Sequence, residues 1–300
     1  MPAASSRVRI VTFASALALV AGPAAAQQID LAGMWSSTRG NHEELPLRGD
    51  PGVEVGEYVG IPLTDGARQH AETWTPTMHS LLEWQGRPHP VTYSMRAPRP
   101  DFRMGPVVDP QTERLIGYTI TNLFGRADRT IWLDGRPHPS KYAEHQWQGF
   151  STGEWINGAL KVTTTHIKYS FVHRNGIPLS PYAVMTEYYW RRGDLLTLAI
   201  IIEDPIYLTE PLVRTSTFRW DPNLTVPPPL PFEVAEELPS LQRGQVPAYP
   251  FGTKHHDYAD SKHIPFEATQ GGAHTAYPEY MNRLKELMHG PASTSSSGTR

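Results

Sequence analysis

Cysteine is absent from the 300 residues, so no disulfide can staple the fold and a core must hold it. Charge of one sign is scarce as well. With 27 Lys and Arg against 30 Asp and Glu, the formal charge is −3, which gives nucleic acid no basic face to bind. The expected partners are therefore small and not strongly charged. Long apolar runs are missing: the one from Ile10 to Val20 is shorter than the roughly 20 residues that span a bilayer. No integral membrane contact is expected. Among the 13 histidines there is no H-E-x-x-H pair, so spacing alone nominates no metal site.

What is present begins with an address. Arg7 and Arg9 precede the apolar run, and Ala24-Ala25-Ala26 supplies small residues for cleavage before Gln27. Residues 1–26 are thus expected to be a signal peptide, and the product periplasmic or secreted. The remainder suits one large domain. Residues 27–221 carry the strand patterns and should form a β-barrel. From 222 to 290 the texture changes to prolines and then an amphipathic helix over 277–289, expected to pack on the barrel as a strap. Residues 291–300, rich in Ser and Thr, should be disordered.

Short β-prone runs fall at 29–35, 102–108, 114–122, 129–133, 153–156, 160–169, 185–190, 195–203 and 212–220, with no long helix between them. Asn157-Gly158, Asn175-Gly176 and Arg192-Gly193-Asp194 read as hairpin turns. These runs make about eight to ten antiparallel strands, predicting an all-β, calycin-like barrel, a closed form that can hold one small ligand. Thr64 should cap a short helix over 66–74.

Chemistry concentrates between Arg129 and Tyr169. The pentapeptide Gly-Arg-Pro-His-Pro occurs at 86–90 and again at 135–139, and proline on both sides of His89 and His138 should present each imidazole on a stiff loop. Strand alternation puts His166 on the face of Leu160, Val162 and Thr164, directed inward and partly desolvated. His138 and His145 would flank the mouth, with Glu203 or Glu187 orienting the pair. These five residues are the candidate catalytic groups. Trp132, Trp147, Trp155, Tyr169, Tyr207, His89 and Arg214 are the candidate ligand contacts. His89, His138, His145 and His166 could alternatively hold a divalent transition metal, but no cofactor is the leading expectation. Glu203 and Asp204 end a nearly continuous apolar run and are either turn formers or site carboxylates. Gly149-Phe150-Ser151-Thr152-Gly153 matches G-x-S-x-G, yet it leads into a strand hairpin and not into the helix a nucleophile elbow needs.

The stretches IWLDGRPHP, HQWQGFSTGEWINGALKVTTTHIKY and RNGIPLSPYAVMTEYYWRRGDLLTLAIIIEDPIYLTEP resemble a large group of exported bacterial hypothetical proteins. That resemblance implies an exported barrel-like domain and no activity. Separately, Gly33-Met34-Trp35 resembles the Gly-x-Trp opening of lipocalins, where the Trp closes the barrel floor. Three functions fit. One is a cofactor-independent lyase, isomerase or hydratase using His and carboxylate acid–base chemistry on a small lipophilic or aromatic molecule. The others are a binding protein for such a molecule and a structural envelope protein. Interior ionisable groups favour the first, because a carrier of apolar ligands gains nothing from desolvating them.

Overall fold

The structure is a computed structural model and describes residues 29–38, 55–75, 88–94, 101–122, 128–173, 175–225 and 248–289. The expected signal peptide, most of the proline strap and the last ten residues lie outside the described residues. In chain order the strands are β1 (Gly33–Ser37), β2 (Phe102–Val108), β3 (Leu115–Asn122), β4 (Arg129–Trp132), β5 (Phe150–Ile156), β6 (Ala159–Thr165), β7 (Ser170–His173), β8 (Ile177–Leu179), β9 (Val184–Arg192), β10 (Leu195–Glu203) and β11 (Leu212–Trp220). Nine of them close a barrel in the order β1-β11-β10-β9-β6-β5-β4-β3-β2. Closure falls to β1, which pairs with β11 through Trp35 and Trp220 and with β2 through Trp35 and Phe102.

Alternation sorts the side chains. On β10, Leu196, Leu198, Ile200 and Ile202 are buried while Leu195, Thr197 and Glu203 are exposed, the period-two pattern of a wall with one apolar face. Asn157 and Gly158 both take positive φ, 50° and 80°, as a two-residue hairpin turn between β5 and β6 requires. Trp35 is fully buried at the closed end, where its indole N–H donates to the Leu31 carbonyl at 3.0 Å. The Arg191 guanidinium lies 5.1 Å from its ring centroid, so a cation and an indole together seal the floor.

Three features depart from the expected meander. First, β4 and β5 pair in parallel, Ile131 opposite Ser151, so the barrel is mixed. A parallel pair needs a crossover to bring the chain back to the starting end, and residues 133–149 supply it along the outer wall. Second, β6 stops at Thr165 because His166 takes a φ of 57°, outside strand geometry. The alternation resets there, and Ile167 is the residue that becomes fully buried. Third, β7 and β8 form their own hairpin outside the barrel.

The end opposite the floor is covered. Helix α1 (Asp65–Ala71) begins where the Thr64 side chain accepts from Ala67 N at 3.1 Å. Leu63 bridges to Leu208 and Thr64 N donates to the Tyr207 carbonyl, which fastens this segment to the turn after β10. Helix α2 (Val91–Ser94) is tied to the crossover through Val91 N and the Trp147 carbonyl. Two further helices, α3 (Asp257–Ser261) and α4 (Tyr280–His289), come after the strap. No helix among the described residues is long and apolar enough to cross a membrane.

Asp204 ties the covered end together. Its buried carboxylate accepts from Ser180 N at 2.6 Å, Ser180 Oγ at 2.8 Å, Ile206 N at 2.9 Å and Tyr207 N at 3.2 Å. It is a turn former that ties β8 to the loop after β10, whereas Glu203 beside it faces solvent. Asp204→Ala should therefore lower the unfolding free energy by about 3 kcal/mol, since several buried donors lose a charged acceptor. Glu203→Gln should stay within about 0.5 kcal/mol. Chemical denaturation of the two variants checks the contrast, and equal losses would contradict it.

Candidate active or binding site in the barrel wall

Two polar clusters stand back to back, divided by β6. Thr164 is fully buried and faces the lumen; Thr165, its neighbour, faces the outer wall.

The inner cluster is built from β4, β5, β6 and β9. Arg129 opens β4 in phase with buried Ile131, and Glu187 and Tyr189 share the inward phase of β9 with Met185. Arg129 Nη2 donates to Glu187 Oε1 at 2.6 Å and to the Tyr189 hydroxyl at 3.0 Å, while that hydroxyl donates to the same Oε1 at 2.9 Å. Arg129 Nη1 reaches Thr164 Oγ1 at 3.4 Å, and Thr164 shares a hydrogen bond with Ser151 Oγ at 2.8 Å. The side chains of Arg129 and Glu187 are 2% and 0% exposed, so this ion pair is shielded from bulk solvent.

Burial acts against the Arg129 charge, but Glu187 and Tyr189 outweigh it and raise the guanidinium pKa above its usual value. Burial first, and Glu187 second, push the Tyr189 phenol well up, so it stays a neutral donor. The contact is one-pronged. Glu187 Oε2 and Arg129 Nε are buried without a hydrogen-bond partner, and so is Trp155 Nε1. An unpaired buried polar atom costs about 1–3 kcal/mol, more when charged, so the two atoms of the ion pair leave the inner cluster short of one donor and one acceptor.

The outer cluster is a chain of directed hydrogen bonds. The Ser140 carbonyl can only accept, so His166 Nε2, 2.9 Å away, carries a proton. With His166 neutral, its Nδ1 accepts from Thr165 Oγ1 at 2.8 Å, and that oxygen accepts in turn from His138 Nδ1 at 2.7 Å. His138 Nε2 is left to accept from Thr152 Oγ1 at 2.8 Å. His145 donates through Nδ1 to the Ile167 carbonyl at 2.9 Å, its ring centroid 5.2 Å from that of His166. The three histidines do meet, on the crossover side of the wall, where they fasten residues 133–149 to β5 and β6.

This corrects the expected placement of His166. It does not share the face of Leu160 and Val162, because its positive φ breaks the alternation at Thr165. The β6 wall therefore separates all three histidines from Glu187. Glu203 lies at the exposed end of β10 and joins neither cluster.

The expected ligand contacts disperse as well. Trp132 points outward beneath Arg136, whose guanidinium is 3.6 Å from the ring centroid. Trp147 sits on the crossover, its ring 5.9 Å from Lys168 Nζ. Tyr169 shares a hydrogen bond of 2.7 Å with His70 Nε2 beside α1, and Tyr207 lies near the same ring at 6.3 Å. Arg214 holds the Gly60 carbonyl at 3.4 Å.

His89 is buried edge-to-face against Tyr93 at 5.0 Å, so it is packed in the cap and not displayed on a loop. The alternative metal set, His89, His138, His145 and His166, therefore does not converge. Among the described residues no three His, Asp or Glu side chains are grouped as metal ligands. Ser151, the serine of the G-x-S-x-G letters, is buried facing the lumen, and its Oγ shares a hydrogen bond with Thr164 Oγ1.

Arg129, Tyr189, Thr164 and Ser151 were not among the candidates from sequence. A signal existed: Arg129 keeps phase with Ile131, and Glu187 and Tyr189 keep phase with Met185, so ionisable groups occupy lumen positions of strands. No family model, no curated protein and no solved structure matches the chain.

Burial first, and His166 second, hold the His138 pKa below the ordinary histidine value; burial does the same for His70. In the window between the lowered folded value and the unfolded one near 6.5, the unfolded chain binds more protons. The stabilisation is therefore complete above about pH 6.5 and is lost as pH falls through the folded value. Denaturant titrations at pH 8 and pH 5 should show a smaller pH penalty for His138→Gln than for the parent. An unchanged penalty would mean that the outer chain is not linked to folding.

Proposed function

We propose that the protein is an exported binding protein that takes one small lipophilic molecule into the covered half of the barrel, where Glu187 and Arg129 meet its polar group. The observation that carries this is the buried, one-pronged Arg129–Glu187 pair with Glu187 Oε2 and Arg129 Nε left over. Stability does not account for such a pair, since apolar residues of similar volume are often neutral or better by about 1–4 kcal/mol. The neighbouring wall is aliphatic. Glu187 lies opposite Val162 on β6 and Ile200 on β10, and Arg129 lies opposite Ile120 on β3, all three buried. A ligand with an apolar body and one polar end suits those surroundings. Export is supported by the pattern of residues 1–26.

Binding is preferred to lyase or isomerase chemistry for a geometric reason. The histidines expected to move the proton lie across β6 from Glu187, and Glu187 itself is held in an ion pair with Arg129. The test is direct. Protein purified without denaturation should carry a small molecule near one equivalent, detected by native mass spectrometry. The double variant Arg129→Met/Glu187→Met should remain folded and carry less than a tenth as much. Equal retention by the variant would refute this function.

A further inference from the structure

We infer that the barrel site selects a neutral head group bearing a hydrogen-bond donor next to an acceptor, a carboxamide or its equivalent, over carboxylates and amines. This rests on the binding function proposed above and deepens it.

Charge comes first. Arg129 and Glu187 cancel, and Tyr189 stays an undissociated phenol, so the inner cluster has no net charge to offer a ligand ion. Neither Thr164 nor Ser151 can supply one. An ionic head group would come among buried aliphatic side chains without a counter-ion, and an uncompensated buried charge is far more costly than an unpaired neutral dipole. Both signs are excluded on the same ground.

Hydrogen bonding then narrows the class. In a two-pronged pairing, the second carboxylate oxygen would take an N–H of the same guanidinium. Here Arg129 Nη2 is committed to Oε1 and to Tyr189, and Nη1 to Thr164, so Glu187 Oε2 still needs a donor and Arg129 Nε still needs an acceptor. A head group with only acceptors leaves Oε2 unpaired, and one with only donors leaves Nε unpaired. A carboxamide carries both on one carbon. Its apolar substituent would lie toward the level of Val162 and Ile200.

The experiment uses the exported chain and four probes of one shape: benzamide, benzoate, benzylamine and toluene, titrated calorimetrically at pH 7.5. Wild type should bind benzamide at least 100-fold more tightly than benzoate or benzylamine. Glu187→Gln leaves Arg129 without a counter-ion, so benzoate should gain at least tenfold and overtake benzamide. Should that variant fail to fold, Arg129→Met/Glu187→Met provides the second arm, and in it benzamide should lose its advantage over toluene. Benzoate or benzylamine binding wild type within about threefold of benzamide would overturn the selectivity while leaving the site in place. No binding of any probe to wild type or variants would overturn the site and the selectivity together, as expected if Oε2 and Nε only share a water.

Discussion

The parallel contact between β4 and β5 governs where the chemistry lies. Every other strand pair in the barrel is antiparallel, and a single parallel pair obliges the chain to leave one end, run back along the outside and enter again at the other. The returning segment, residues 133–149, brings His138 and His145 to the outer face of β5 and β6. Thr152 and Thr165 receive it there. With the histidines committed to holding the crossover down, the lumen keeps polar groups that the strands themselves carry, Arg129, Ser151, Thr164, Glu187 and Tyr189 among them.

Those lumen groups oppose the logic of the core around them. Leu160, Val162, Met185, Leu198 and Ile200 are buried to within 1% and would pack as well around aliphatic residues. The ion pair is tolerated because Tyr189 and Thr164 share its hydrogen bonds, but two of its atoms remain unpaired, a deficit on the order of a few kcal/mol in a fold that is stable by roughly ten. On the proposed function, a partner molecule that supplies the missing donor and acceptor would relieve that deficit. Binding there would then stabilise the fold, because a molecule that filled the site would also remove a penalty from the folded state.

Much of the fold was legible in the sequence, and the reasons are local. Alternation located β9, β10 and β11 closely, and the Asn-Gly turn located the hairpin of β5 and β6, since a half-buried wall imposes period two and a tight hairpin demands positive φ. Gly33-Met34-Trp35 marked β1, whose Trp35 is fully buried. What could not be read was non-local. Nothing in residues 129–133 says that the next strand lies parallel, so the crossover and the outward histidines stayed hidden. The break at His166 also escaped, because a histidine at positive φ leaves no trace in the hydrophobic pattern. Glu187 was named, but its partner Arg129 lies on a different strand, and only closure of the barrel brings them within 2.6 Å.

The central claim is that Glu187 Oε2 and Arg129 Nε together receive a guest. A crystal structure of protein purified under native conditions, at a resolution that separates the carboxylate oxygens, tests it most directly. The account predicts a non-protein group between the strands, with a donor within about 3.2 Å of Oε2 and an acceptor as close to Nε. A two-pronged pair, with Nε bonded to Oε2 and no room beside it, would contradict the account.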